Sequence, residues 1–338
     1  MSVDIDDLAL IAEKLTEDFE FYKNQKIFLT GGTGFFGKWL LQTFIYLNEI
    51  HKLNISVTIL SRSPEKFAEN QPYLANHKNF MLVKGDVRSF SDLNESYDLI
   101  IHAATDASTE INRENSELMR DTILDGAKNI CDFSKRVGCK RILYTSSGAA
   151  YGPQPKNLSH IPETFLDNPL FNHNDGYASS KLKSEEYFKD NVSCDIVIAR
   201  CFAFSGPYLP LSGEYAFGNF ISDVLQDRDI IIKSDGTPVR SYLYAADLII
   251  WLLRILSSGR SGEIYNVGSK ESISIKDLAK KISLDKVQTI TLSKSDGNTN
   301  VYVPCIDKAE TELDLKMYTS LENAIIKTLK FEGYDSFS

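Results

Sequence analysis

Tyr177 and Lys181 stand four residues apart in the run YASSK, and Ser147 closes an earlier run, YTSS. On a helix, that spacing puts the tyrosine and the lysine on one face. An ammonium beside a phenol favours the phenolate and is expected to draw its pKa from about 10 towards neutral. A phenol tuned in this way can pass a proton to or from a substrate oxygen while a hydride moves to or from a nicotinamide. Ser147 would hold the same oxygen. Tyr22 and Lys26 share the spacing and serve as an internal control. That pair precedes the first strand-like run and has no serine-bearing strand end before it. The order of elements therefore singles out Ser147, Tyr177 and Lys181 as the catalytic set.

The elements that must position these residues follow from the apolar pattern. Strand-like runs occur at KIFLT, SVTILS, FMLVKGD, DLIIHAA, KRILYTSS and CDIVIARC, with helical stretches at 35–47, 115–136 and 176–190. Apolar strands without polar alternation, joined by helices, predict an α/β fold: a doubly wound parallel Rossmann sheet covered on both faces. Residues 7–20 carry Leu8, Ile11, Leu15 and Phe19 at helical spacing and predict a leading amphipathic helix. The expected division is an N-terminal helical extension over 1–25 and a dinucleotide-binding domain over 26–200. A smaller, interleaved substrate-binding domain occupies most of 201–338, and the chain returns to the first domain near 240–260.

KIFLTGGTGFFGKWLLQTF reads as a strand, a glycine-rich turn and a helix, with Gly31, Gly34 and Gly37 in a GxxGxxG pattern. The first glycine permits a tight turn, the second lets backbone approach a pyrophosphate, and the third lets the helix pack on the strand. N–H groups at the helix start would hold the anion. Gly31, Thr33, Gly34, Phe35, Phe36 and Gly37 are thus expected to line a dinucleotide. A bare glycine turn is the alternative, and the position between the first strand and a helix argues against it. The second strand ends in Ser61-Arg62-Ser63, with no carboxylate before Glu65. A carboxylate there would select NAD; a hydroxyl and a guanidinium suit the 2′-phosphate of NADP. NADP(H) is favoured, NAD(H) is the alternative, and Arg62 as a solvated loop cation stays open.

Composition bounds the class. Of 338 residues, 43% are apolar and 25% charged, and the net charge is -9. An ordinary soluble globular protein with a substantial core is expected, and an acidic balance argues against a broad nucleic-acid or anionic-membrane surface. The run LIIWLLRIL is too short to cross a bilayer and carries Arg254. The N-terminus lacks the basic and apolar regions of a signal peptide. Five cysteines without ligand-like spacing predict reduced thiols and no metal site. A cytoplasmic location is expected.

Beyond Lys26 the chain resembles the extended short-chain dehydrogenase/reductases, the nucleotide-sugar epimerase/dehydratase/reductase family. The resemblance rests on TGGTGFFG, GDVRS, IIHAAT, TSSGAAYG, YASSK, ARCFAFSGPY, GTPVRSYLYAADL and YNVGS, in that order, to about residue 330. It implies that Asp86 and Val87 contact the adenine and that Ala103 and Ala104 pass beside the cofactor. Tyr177 and Lys181 would touch the cofactor as well. Ser147, Asn219 and Arg240 would bind a nucleotide-linked hexose, Arg240 through its pyrophosphate, and a homodimer is implied. Two positions depart from the family. Ala203 stands where an asparagine often follows the arginine, here Arg200, and Ile123 stands where an asparagine precedes Gly126.

Family members that dehydrate a hexose carry an acid just after the catalytic hydroxyl, and 3,5-epimerases place a cysteine there. Here Gly148 and Ala149 fill those positions, and neither can exchange a proton. Tyr151, a phenol without a neighbouring cation, is expected to stay protonated, and Glu163 is expected to be exposed or capping. So bare a lip leaves hydride transfer at one carbon. The leading expectation is NADPH-dependent reduction of a nucleotide-linked 4-keto-6-deoxyhexose. NAD-dependent 4-epimerisation is the alternative, and a non-catalytic dinucleotide-binding regulator comes third.

Overall fold

The computed structural model describes residues 2–90, 93, 95–104, 116–166, 168–213, 215–293 and 300–334. Thr105, which ends the IIHAAT run, and residue 115, the expected start of a helix, lie outside the described residues.

The strand runs become β1 (Lys26–Thr30), β2 (Ser56–Ser61), β3 (Phe80–Lys84), β4 (Leu99–His102), β5 (Arg141–Ser147) and β6 (Asp195–Cys201). Helices α1 (Ile5–Lys14), α2 (Phe35–His51), α3 (Ser116–Val137), α4 (Gly176–Asn191), α5 (Ala216–Leu225) and α6 (Ala245–Ser258) follow the chain order. A later pair of strands, β7 (Val239–Ser241) and β8 (Ile264–Val267), lies on either side of α6. The main sheet has seven strands in the order β8-β6-β5-β4-β1-β2-β3, and every pair in it is parallel. The chain reverses its winding direction between β1 and β4, and the carboxyl ends on either side of that point form the crevice where such sheets bind ligands.

Both faces of the sheet are buried, which explains why the strands read as unbroken apolar runs. On one face, β1 through Ile27 and Leu29 packs with α2, α6 and α1 in a core that includes Trp39, Leu40, Phe44 and Trp251. On the other, Phe28, Ile100, Ile142 and Ile198 meet Ile130 and Phe133 of α3 and Phe188 of α4. The apolar run from 248 lies within α6, whose Leu248–Leu253 side chains are 0–1% exposed. It is a core helix, and among the described residues no helix is long and apolar enough to cross a membrane. A third cluster joins Phe217 and Ile221 of α5 to Ile230, Leu278 and Ile325, apart from the sheet.

The leading helix differs from the expected 7–20. It ends after Lys14, and two short turns, Thr16–Asp18 and Phe19–Tyr22, follow. Thr16 Oγ1 donates to the Ala12 and Glu13 carbonyls at 3.2 and 2.8 Å, satisfying the helix's last acceptors. The turn then delivers Asp18 to Ser257 Oγ at 2.5 Å and Arg254 Nε at 2.9 Å. Those buried polar contacts outweigh continuation of the helix.

Candidate active site

Ser147 is the last residue of β5, and its Oγ accepts the Ala149 N–H at 3.1 Å. That contact shapes the single turn Gly148–Tyr151 that forms the lip. Tyr177 lies in the first turn of α4, which is fixed by Asp175: its Oδ1 takes the Tyr177 and Ala178 N–H groups at 2.9 and 3.0 Å. A capping aspartate satisfies donors that the helix start leaves open. The Tyr177 phenol is hydrogen-bonded to Ser147. Lys181, 1% exposed, sits one turn on and donates from Nζ to the Thr145 carbonyl of β5 at 2.8 Å. The three side chains therefore meet at the carboxyl end of β5. Tyr22 and Lys26 do not share a helix: Tyr22 ends one and donates to the Leu253 carbonyl at 2.5 Å, while Lys26 begins β1.

The electrostatics correct one expectation. Burial pushes the Tyr177 phenol up, and the Ser147 hydrogen bond opposes it only in part. Burial likewise pushes Lys181 down to about 8. The ammonium is drawn to Thr145 and lies 5.9 Å from the centre of the Tyr177 ring. Spacing brought the two together, but desolvation dominates both, so Tyr177 keeps its proton.

The glycine turn has the shape of a dinucleotide cradle. Gly31 has φ +74°, and a Cβ there would stand 2.4 Å from the Ala103 carbonyl oxygen. Ala103 and Ala104 are held beside it by hydrogen bonds to the Thr30 carbonyl and hydroxyl at 3.2 and 3.1 Å. A Cβ on Gly37 would come within 2.3 Å of the Gly32 backbone, so this glycine is what lets α2 pack on the turn. Phe35 and Phe36 turn their rings into the core, Phe36 edge-on to Phe204 at 5.2 Å, and leave their backbone at the helix start. Thr33, Ser61 and Arg62 line a hollow of about 270 Å³ with Lys38, Ser63 and Lys66. Asp86 accepts from Arg88 Nε and Nη2 at 2.9 and 2.8 Å, and the Val87 carbonyl accepts from Asn129 at 2.9 Å. A close-approach turn, a helix start and a cation-lined hollow in series fit a dinucleotide.

The family model for the NAD dependent epimerase/dehydratase family matches residues 27–268, more than half of the 338-residue chain. The chain belongs to this family. It is an extended short-chain dehydrogenase/reductase, as its motifs implied. UDP-glucuronic acid decarboxylase 6 of Arabidopsis thaliana is 27% identical over 78% of this chain and 74% of its own length. The dTDP-D-glucose 4,6-dehydratase of Mus musculus is 22% identical over 82% and 77%. Among solved structures, UDP-glucose 4-epimerase from Thermotoga maritima superposes with a TM-score of 0.75 at 21% identity, covering 91% of this chain and 98% of that one.

Within this epimerase/dehydratase fold, the lip of the site is crowded. A Cβ on Gly148 would stand 2.7 Å from both the Phe202 ring and the Tyr302 hydroxyl. Those rings lie 4.6 Å apart, and Tyr302 is also hydrogen-bonded to Ser147. The sequence reading missed Tyr302 and Phe202. Tyr302 belongs to a two-residue strand that pairs with β7, Tyr302 opposite Arg240, and no local pattern marks it.

Arg240 donates from Nη1 to the Val239 and Asn300 carbonyls at 2.8 and 3.0 Å and lies 5.9 Å from the Tyr302 ring. Asn219 of α5 is half-buried and donates to the Gly213 carbonyl at 2.9 Å. Ile123 is buried, so no polar side chain stands at that point of α3. Two expectations are corrected. Tyr151 does have a cation beside it, the Arg200 guanidinium at 4.2 Å from its ring, yet burial still pushes its phenol up. Glu163 is neither exposed nor capping: it accepts the Asn266 N–H at 2.8 Å, and burial raises its carboxyl.

Proposed function

We propose that the protein is an NADPH-dependent reductase of the 4-keto group of a nucleotide-linked 6-deoxyhexose. The observation that carries this reading is the lip: Phe202 and Tyr302 fill the space that a side chain at Gly148, directly after Ser147, would need, and Ala149 beside it has no group that exchanges a proton. Elimination across two sugar carbons requires such a group, and reduction of one carbonyl does not. The glycine cradle would hold the pyrophosphate of a nicotinamide dinucleotide, which would supply a hydride. Ser147 Oγ holds the sugar O4, Tyr177 gives it a proton, and the Lys181 ammonium stabilises the phenolate left behind. Asp86, Val87, Ala103 and Ala104 flank the adenosine and nicotinamide halves, and Arg240 with Asn219 faces the sugar nucleotide from the later half of the chain. The nucleotide-sugar substrates named for the relatives support the substrate class.

NADPH is favoured because the hollow at the end of β2 is lined by Arg62, Lys66 and Lys38. Arg62→Ala is expected to weaken NADPH binding by about 1.5–3 kcal/mol, one to two orders of magnitude in Kd. NADH binding should change little. Titration of both cofactors checks this, and equal losses would return Arg62 to a loop cation.

The second reading, an NAD-dependent 4-epimerase, is favoured by the family's NAD dependence. It uses the same three side chains with a tightly held cofactor. The nucleotide released on denaturing the purified protein separates the two: stoichiometric NAD(H) supports the epimerase. Incubation with NADPH and a panel of 4-keto nucleotide sugars tests the reductase directly.

No dehydration is expected from dTDP-glucose, UDP-glucose or GDP-mannose with NAD⁺ or NADP⁺. Mass spectrometry would detect the 4-keto-6-deoxy product. Loss of one water at a steady catalytic rate would mean that a base acts where none is placed, and the reductase reading would fall.

A further inference from the structure

Beneath the lip lies a polar chain that the proposed chemistry does not use. Glu185 of α4 and Arg200 of β6 form a buried ion pair, their side chains 2% and 5% exposed. Arg200 Nε reaches both carboxylate oxygens at 3.0 and 3.2 Å, and Nη2 reaches Oε2 at 2.6 Å. Ser146, the neighbour of Ser147 and the register partner of Arg200, donates its hydroxyl to Glu185 Oε1. A face of the guanidinium covers the Tyr151 ring at the end of the lip. Tyr151 in turn donates to Asn266 Oδ1 at 2.8 Å, and Asn266 Nδ2 holds the Ile161 and Cys305 carbonyls at 2.9 and 3.0 Å.

Removing two charges from water costs about as much as their attraction returns, and a well-packed apolar pair is often as stable. Stability alone therefore gives no reason for this pair. Its geometry gives another. Glu185 is on the same helix as Tyr177 and Lys181, Ser146 is next to Ser147, and Tyr151 closes the lip. The pair thus joins the helix that carries Tyr177 and Lys181, the strand that carries Ser147, and the lip that follows it. A planar fork stacked on a ring and clamped by a carboxylate fixes direction as well as distance.

We propose that Glu185 and Arg200 are positioning residues that lock the catalytic helix, the end of β5 and the lip into one unit, so that the Ser147 hydroxyl meets the Tyr177 phenol. This rests on the reading of Ser147 and Tyr177 given above. Both side chains of the pair are buried, and it acts only through Ser147 and Tyr177.

The test replaces the pair by apolar residues of similar size, Glu185→Leu/Arg200→Met, in the full chain. The expected result is a folded protein with NADPH affinity and KM within threefold of wild type and kcat lowered at least thirtyfold. Hydrogen exchange of the peptide 145–152, which holds the Ala149 and Gly152 amides, should quicken at least tenfold. Unchanged exchange overturns the proposal whatever happens to turnover, and so does faster exchange with kcat within threefold of wild type. If the double variant does not fold, Ser146→Ala and Tyr151→Leu take its place. Each should quicken lip exchange and lower kcat at least threefold at constant KM, and wild-type values for both variants overturn the proposal. If the wild type reduces no keto sugar, the functional reading fails by itself, and lip exchange alone then decides the positioning claim.

Discussion

Tyr177→Phe is expected to lower kcat by about 10²–10⁴-fold, the range of a lost general acid, while NADPH binding stays within a few-fold of wild type. The substitution removes one oxygen and keeps the ring, the Asp175 cap and the helix, so the fold has no reason to change. The phenol is hydrogen-bonded to Ser147 and held protonated by burial, which is the state that donates to a new alkoxide. Retention of more than about a tenth of kcat, roughly 1.4 kcal/mol of barrier, would remove Tyr177 as the acid. A pH profile adds a sign. Lys181, pushed down to about 8, is an ammonium below that pH and loses its charge above it. The reduction rate should therefore fall as pH rises through about 8, because the phenolate left by proton transfer loses its counter-charge. Lys181→Met should be slow at every pH and lack this alkaline limb; a limb that persists in the variant belongs to another group.

The convergence of Ser147, Tyr177 and Lys181 was legible because its signals are local. A strand end bearing serine and a helix bearing YASSK are each contained in a few residues, and the parallel sheet brings their ends together. The six strands before residue 202 were legible for a similar reason: two buried faces leave unbroken apolar runs. What escaped has a common cause. Tyr302 reaches Ser147 from a two-residue strand paired with β7, and Arg200 reaches Tyr151 from a strand on the far side of α4 in sequence. Neither contact leaves a pattern near either partner. Spacing also gives proximity without direction: Lys181 lies one turn from Tyr177, but a carbonyl of β5 decides where its nitrogen points. The early end of the first helix has the same origin, since Asp18 is buried against residues of α6.

The glycine turn permits a test in which fold and ligand separate. A methyl group on Gly37 would fall within 2.3 Å of Gly32 Cα, C and O, backbone atoms that cannot move alone. Helix α2 must then lift from the turn, against the packing of Trp39, Leu40 and Phe44 in the core. Overpacking of this kind costs about 1–3 kcal/mol, and the helical preference of alanine over glycine returns at most about 1. Gly37→Ala is therefore expected to lower Tm by several degrees and cofactor affinity at least a hundredfold, because the helix start proposed to face the anion moves with α2. Gly34→Ala differs. Its φ is -85°, and the added methyl meets only the Gly31 carbonyl oxygen at 3.4 Å, so the protein alone accepts it. Its Tm should match wild type. If Gly34 is where the backbone approaches a pyrophosphate, cofactor affinity should nevertheless drop at least tenfold, since the methyl takes the space the anion needs. Calorimetry and cofactor titration on the two variants give the comparison. Wild-type affinity in Gly34→Ala would mean that the anion lies elsewhere, and the cradle would then be a packing device for α2 alone.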